Sequence, residues 1–386
     1  MFFFDFGLSI YFFFFNLFLN HRGYSEAQLG LLTGATAAGN LAGALPAGWL
    51  IERWGMRNTL IAAILAAPAV LCLRSLSPSL SLQIALAFLA GLALCLWAVS
   101  KSPIVAAITG ERERPLAFSL VFSLGIGLGA AGALAGSRMP GWFSHFVASS
   151  SRLAPDQLTL IAACCIAVLA GLPAMAVRTA KTIVPARPGS LFSPAVRRIL
   201  PAVALWGLVA GSFFPFGNVF LAVHLRLPLP SVGTVFSASQ LCQVGAVLCA
   251  PLIFRRVGMP AGVFAMQIAT ASCFLVLALT TQPIAAGMTY VLLTAMQYMG
   301  EPGMYSMMMN IVPPESRGGA SATMALVLGI AQLIAATTAG WTFTNLGYPR
   351  ALAIIAGVAF LAGLLFKSVA HAQTAPLVPC ANQKPE

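Results

Sequence analysis

The sequence predicts an all-α membrane protein of twelve transmembrane helices, arranged as two pseudo-symmetric six-helix bundles. Three observations carry this. Of 386 residues 59% are hydrophobic and 8% are charged, against about 25% charged residues in a soluble domain. Apolar runs close to the 20 residues needed to cross about 30 Å of hydrocarbon recur with short polar breaks. The second half of the chain also repeats the first. No run shows the alternation of an outer-membrane barrel strand, and Ala, Leu and Gly dominate, as in packed helices.

The predicted spans are 1 to 20, 27 to 50, 59 to 76, 81 to 108, 116 to 137, 158 to 177, 199 to 223, 231 to 253, 261 to 280, 284 to 311, 319 to 342 and 350 to 370. Span one is crowded with phenylalanine between Phe2 and Phe15, which reads as packing and lipid contact. Asp5, Ser9, Phe12, Asn16 and Asn20 form a polar stripe along it at near-helical spacing. The chain opens Met1-Phe-Phe-Phe without a basic lead, so either translation starts upstream or Asp5 sits at the inner interface. Span two carries Asn40. Spans three, six and nine are nearly featureless and bear Cys72, Cys164, Cys165 and Cys273.

Span four ends with Trp97, Lys101 and Pro103, where a proline can break the helix ladder. Span five, from Phe122 to Gly136, is rich in glycine. Span seven holds Asn218 and span eight Gln240 and Gln243, amides that either bind solute or glue helices. In span ten Gln297, Glu301 and Tyr305 recur every fourth residue and fall on one helix face. The Met304 to Met309 run beside them reads as adaptable packing rather than a metal path. Spans eleven and twelve close the second half.

Charge placement sets topology. With the N-terminus inside, fourteen Lys and Arg lie in inner loops and termini: Arg53, Arg57, Arg112, Arg114, Arg178, Lys181, Arg187, Arg197, Arg198, Arg255, Arg256, Arg317, Lys367 and Lys384. Six face the other side: Arg22, Arg74, Arg138, Arg152, Arg226 and Arg350. By the positive-inside rule both termini are cytoplasmic. The net charge of +12 then reflects topology, not nucleic-acid binding. No apolar segment leads to a cleavage site and a soluble domain, so no removable signal peptide is expected.

Seven of eight cysteines fall in spans, with Cys380 in the tail, which argues against a disulfide framework. His21, His145, His224 and His371 lie at loops or helix ends, and no Cys or His pair has zinc spacing. Neither metal nor cofactor is expected.

Sliding the sequence by 203 positions brings Gly30 onto Gly233, His21 onto His224, Gly55 onto Gly258, Met56 onto Met259, Arg53 onto Arg256 and Arg114 onto Arg317. One residue out of step, Asn16-Leu-Phe-Leu meets Asn218-Val-Phe-Leu. The halves are therefore parallel repeats of residues 1–177 and 199–370. A basic linker, 178–198, joins them, and a cytoplasmic tail at 371–386, expected to be disordered, follows. The charges do not repeat: Glu301 falls on Ala98 and Lys101 on Met304.

After span two stands Gly48-Trp-Leu-Ile-Glu52-Arg53-Trp-Gly55-Met-Arg57, and after span eight a weaker copy, Arg255-Arg256-Val-Gly258-Met259-Pro260. This loop resembles the G-x-x-x-[DE]-R-x-G-x-[RK] loop of the major facilitator superfamily. The charged turns at Glu111-Arg112-Glu113-Arg114 and Glu315-Ser-Arg317 resemble the linkers that precede spans five and eleven in that family. The resemblance covers the whole chain and implies the MFS fold. It also implies a solute carrier of a bacterial inner membrane working by alternating access, with spans one and seven lining its cavity and Asn16 and Asn218 as ligands. Glu52 would then sit near the start of span eleven, where a helix N-terminus favours negative charge, and latch the outward-open state. The plainer alternative is that Arg53 and Arg57 only hold the loop inside. Span five lacks the Gly-Pro pair of drug:proton antiporters, which lowers the expectation of drug export.

Asp5, Lys101 and Glu301 are ionisable groups in spans, each costing about 2.5 to 3.5 kcal/mol by insertion scales and so needing a partner, water or a purpose. Glu301 and Asp5 are candidate proton carriers; for Glu301 the alternative is structural pairing with a basic group. Lys101 either meets an anionic solute group or pairs with Asp5 or Glu301. With few cavity charges the expected solute is neutral, zwitterionic or weakly anionic. Protons and membrane lipid are the other expected partners, and a monomer is the expected unit. No Walker A loop occurs, which excludes ATP as the direct energy source, and no constellation such as HExxH points to a membrane enzyme. Uncoupled facilitation, drug or metabolite efflux and lipid flipping or a transporter-like receptor remain the alternatives.

Overall fold

A computed structural model describes residues 2–108, 114–146, 153–176, 194–311 and 317–374. Twelve helical segments run through them, and the described residues contain no strand. They are α1 (Phe2–His21), α2 (Glu26–Trp54), α3 (Met56–Leu76), α4 (Leu80–Ile108), α5 (Arg114–Phe146) and α6 (Pro155–Val168, resuming as Gly171–Ala176). The second half comprises α7, which starts as Pro194–Phe213 and reaches His224, then α8 (Leu229–Val257), α9 (Met259–Leu279) and α10 (Pro283–Ile311). The last two, α11 and α12, form one continuous run, Arg317–Thr374, broken only at Gly347 with φ 76° and ψ 164°.

Every predicted span is thus a helix, and half of them are extended by a turn or more, because a polar stretch beyond the hydrocarbon keeps its backbone hydrogen bonds. The largest extension is in α5, which passes Arg138 and Pro140 to reach Phe146. Most of the linker lies outside the described residues, as does the tail from 375.

The repeat governs the helix ends. Adding 203 to the bounds of α2, α3 and α4 gives those of α8, α9 and α10. The turns correspond as well. Gly55 (φ 82°, ψ 157°) and Gly258 (φ 83°, ψ 150°) separate α2 from α3 and α8 from α9. Their N–H groups donate to Ile51 O and Phe254 O at 2.9 and 3.0 Å. This backbone region is essentially closed to residues with a Cβ, which is the physical reason for a glycine in both copies of the loop. Where the first repeat uses Gly23 (φ 85°) to leave α1, the second uses Arg226, the one non-glycine described residue with positive φ, at 56°. A capping box between Ser25 and Gln28 starts α2.

Within the first half α4 packs on α2 and α3, and α1 on α5 and α6; within the second, α10 packs on α8 and α9. The halves meet along α2 with α11 and α5 with α8. Small residues permit both crossings. A Cβ on Gly30 would strike the Ala336 carbonyl and Gly340, and one on Gly233 would strike Ser137. Large apolar side chains such as Leu248, Leu279 and Ile284 are more than 70% exposed, as a lipid-facing perimeter requires. Burial runs inward instead, to Tyr11, Phe14, Phe18, Phe216 and Phe220.

Candidate functional site

Between the halves lies a cavity of about 1240 Å³. Along α1 its wall takes Asp5, Ser9, Phe12 and Asn16, so the polar stripe of that helix faces it. Asn20 leaves the stripe and donates to Tyr24 O at 3.4 Å in the following turn. Lys101 on α4, Asn218 on α7, and Gln240 and Gln243 on α8 complete the polar wall, with Asn40 from α2. Among the described residues, every charge on this wall comes from the first half.

The cavity is sealed at the Gly23 end of the bundle. Asn16 Nδ2 donates to Pro215 O at 2.6 Å, and Asn218 Nδ2 donates to Phe13 O at 2.6 Å. In each bond the acceptor lies three residues before the equivalent amide on the same helix, so the pair obeys the pseudo-two-fold axis. Local backbone makes this possible: α7 leaves α geometry at a 3₁₀ turn, Phe214–Phe216, and ends in a π turn, Phe220–His224. Such departures redistribute the ladder and bring carbonyls out of register. The amides expected as solute ligands are therefore engaged across the interface. Nearby, Ala27 N donates to Thr344 Oγ1 at 2.9 Å, the Phe13 and Phe236 rings meet edge to face at 5.4 Å, and Tyr290 lies tilted against Phe236 at 5.1 Å. From this seal the cavity reaches Asp5 in the first turn of α1 and Thr323 near the start of α11, both towards the Gly55 end.

Lys101 and Asp5 face one another without a direct ion pair, and Trp97, one turn before Lys101, lies against the same carboxylate. The Phe4 ring fixes the indole at 4.2 Å between centroids. Of the two partners considered for Lys101, Asp5 is the one beside it. Gln240 crosses the interface and presses its amide on Gly129 of α5, where an added Cβ would lie 2.7 Å from Nε2.

Glu301 occupies a separate recess of about 280 Å³ between α2, α7, α10 and α11. Gln297 and Tyr298 line it too, and it shares Thr33, Phe214, Pro215, Tyr290 and Gln332 with the main cavity. Among the described residues no Lys or Arg pairs with Glu301. Pro302 follows it directly and removes the N–H that would bind Tyr298 O. Tyr305, next on the same face, is 42% exposed and belongs to neither wall.

Arg74 reads from the sequence as one of the outer-side charges and not as one of the ionisable groups within the spans, but in the last turn of α3 it is only 3% exposed. It contributes to the cavity wall. The signal that could have found it is the Tyr11 and Phe15 pair, four residues apart on α1, whose rings stack at 4.9 Å and offer a face to a cation.

Of the charged loop, Arg57 donates to Met175 O and so ties α3 to α6. Arg53 sits over the Trp49 ring at 5.1 Å, and Arg255 and Arg256 are exposed. Gly48's surroundings, the side chains of Glu52, Arg114 and Arg317, and Arg112 altogether lie outside the described residues, and with them the expected latch. His21 meets Asp156 at 3.2 Å, joining α1 to α6. The described cysteines are free thiols, and no group of three metal-ligating side chains occurs among the described residues.

The family model for the Major Facilitator Superfamily matches residues 1–300. Among solved structures the chain is similar to a variant of the nucleoside transporter NupG, at 13% identity and TM-score 0.80, covering 95% of this chain and 97% of that one. It is similar also to a bacterial homologue of the iron transporter ferroportin in an inward-facing state (13%, TM-score 0.72, 95% and 96% covered). A bacterial homolog of the human lysosomal transporter Spinster, inward-facing and occupied, matches comparably (13%, TM-score 0.75, 96% and 94% covered). No curated protein sequence matches the chain.

Proposed function

The chain belongs to the major facilitator superfamily, a multi-pass membrane transport family, and from that premise we propose that it is a proton-coupled secondary transporter of a small organic solute in a bacterial inner membrane. The observation that carries this reading is the central cavity, sealed between the halves at the Gly23 end and reaching towards the Gly55 end. The count of basic residues assigns the Gly55 end and both termini to the cytoplasm. The structure described is then the inward-facing state. Residues 1–177 and 199–370 act as the two rocking bodies, with 178–198 as the tether and a single chain as the unit.

Coupling falls to Glu301, a carboxyl in a recess that opens on the cavity wall, free of a basic partner among the described residues. Asp5 is the second candidate, moderated by Lys101. Gln240, Gln243 and Gln297 supply neutral hydrogen-bonding positions for solute, and Tyr305 stands at the edge of the proton path. The cytoplasmic loop with Gly48, Glu52, Arg53, Gly55 and Arg57, together with Arg112, Arg114, Arg255, Arg256 and Arg317, would close the inner end when the outer end opens.

Spin-label distances in nanodiscs test this. One label pair at Ser79 and Arg350 spans the Gly23 end, and another at Asn58 and Arg256 spans the Gly55 end; all four positions are exposed. Alternating access requires two populations whose distances change in opposite senses, with their ratio responding to pH in the parent. A single population at both ends under every condition refutes the reading.

A further inference from the structure

Among the described residues two cations reach the wall of the central cavity, and one of them has an opposite charge beside it. Lys101 faces Asp5. Arg74 faces no carboxylate among the described residues; Tyr11 is the ionisable group nearest it. The residue as a whole is 3% exposed, and a cation so largely withdrawn from water without a counter-charge is unfavourable unless an anion completes the site.

The surroundings hold the guanidinium in place without neutralising it. Nε donates to Gln83 Oε1 at 3.4 Å, and the central carbon stands 4.4 Å from the Phe15 ring centre. Gln83 Nε2 donates in turn to the carbonyls of Arg74 and Ser77, which anchors the last turn of α3 to α4. Tyr11, stacked on Phe15, gives its hydroxyl proton to Leu71 O at 2.9 Å. Each neighbour fixes the stem or the Nε edge. The terminal nitrogens make no hydrogen bond to a described residue, which leaves the forked end, the part suited to two oxygens of one anion.

We infer that Arg74 is the anion-recognising residue of the cavity and that the solute is a small organic anion, a carboxylate or phosphate monoester with an apolar or aromatic body. The inference rests on the reading of this cavity as the solute site. It follows from charge and position together. Of the charges on the wall, Asp5 and Lys101 offset one another and Arg74 supplies the surplus. Phe12, Phe13, Phe236 and Tyr290 on the same wall offer rings to the solute's body.

Matched probes test it: phenylacetate and phenyl phosphate as anions, phenylacetamide as the neutral counterpart, and 2-phenylethylammonium as the cation. Each is titrated against the purified parent by thermal shift, since a ligand preferring the folded state raises its apparent stability. The expected result is stabilisation by one or both anions, the stronger identifying carboxylate or phosphate as the preferred head, and little by the amide or the amine. Arg74→Gln should weaken anion binding about tenfold or more, the loss of a charged hydrogen-bonding partner. Arg74→Lys keeps the charge without the fork and should weaken it severalfold. Gln83→Ala loosens the Nε edge but keeps the charge and the fork, and should weaken anion binding clearly less than Arg74→Gln does.

Equal stabilisation by amide and anion, no stabilisation by either anion, or undiminished anion binding in Arg74→Gln overturns the inference. If Arg74→Gln does not fold, undiminished binding in Arg74→Lys overturns it. Equal loss in Gln83→Ala and Arg74→Gln also overturns it, by reducing Arg74 to a packing role. Failure of the anion assignment leaves the spin-label exchange between the two ends intact, whereas failure of the transporter reading abolishes that exchange whatever binds.

Discussion

Replacing both Asn16 and Asn218 by alanine removes two hydrogen bonds of 2.6 Å that tie α1 to α7. A neutral hydrogen bond contributes about 0.5–1.5 kcal/mol net. When the Gly23 end opens, both amides and both carbonyls meet water, so the substitutions cost the open state little. The differential loss is therefore about 1–3 kcal/mol for the pair, a shift of roughly 5- to 150-fold in the equilibrium between the two states. Each single substitution should give about half the free-energy effect, and coupling between the two would appear as non-additivity, because the bonds share one interface. The assay is the label pair Ser79 and Arg350 with its complement Asn58 and Arg256, after the exposed native thiols Cys165, Cys242 and Cys249 have been replaced. Outer distances should lengthen and inner ones shorten. An unchanged distribution in a folded double variant would show that the two amides do not hold that end shut.

Three further outcomes are expected. Glu301→Gln should bind solute but lose accumulation driven by a pH gradient in proteoliposomes; uptake that keeps its pH-gradient dependence removes Glu301 from coupling. Asp5→Asn and Lys101→Gln should each lower the melting temperature, and the double variant should lie above their sum by about 0.5–3 kcal/mol of coupling; strict additivity would mean that the two charges do not sense one another. Gly55→Ala and Gly258→Ala should each cost about 1–3 kcal/mol, because their φ and ψ fall where only glycine is comfortable, and parental melting in either would refute the strain argument.

The scaffold could be read because its determinants are local or periodic. A bilayer fixes span length, and a duplication copies turn residues, so Gly55 and Gly258 and the 203-residue shift that relates α2–α4 to α8–α10 are legible in one dimension, while the helix ends beyond the hydrocarbon are not. The cavity was legible where a stripe on a single helix marks it, as from Asp5 to Asn16. What escaped depends on how far a side chain reaches and on what lies across from it. Arg74 ends an apolar run and reads as an outer-end cation; only the Tyr11 and Phe15 rings of another helix show that it turns inward. Asn16 and Asn218 were recognisable as equivalents, but equivalence does not reveal that each would choose the other helix's backbone. Glu301 was legible as an anomaly in apolar surroundings, while its recess exists only once α2, α7, α10 and α11 are assembled.

The asparagine pair has an electrical consequence. Carboxamides carry no net charge, and their acceptors are backbone carbonyls, so parting them moves no charge through the membrane field. A full charge crossing that field involves about 2.3 kcal/mol per 100 mV. Voltage and salt should therefore leave the strength of this closure unaltered, and any voltage dependence of turnover must come from the proton and solute charges carried and from the charged side chains Asp5, Arg74, Lys101 and Glu301.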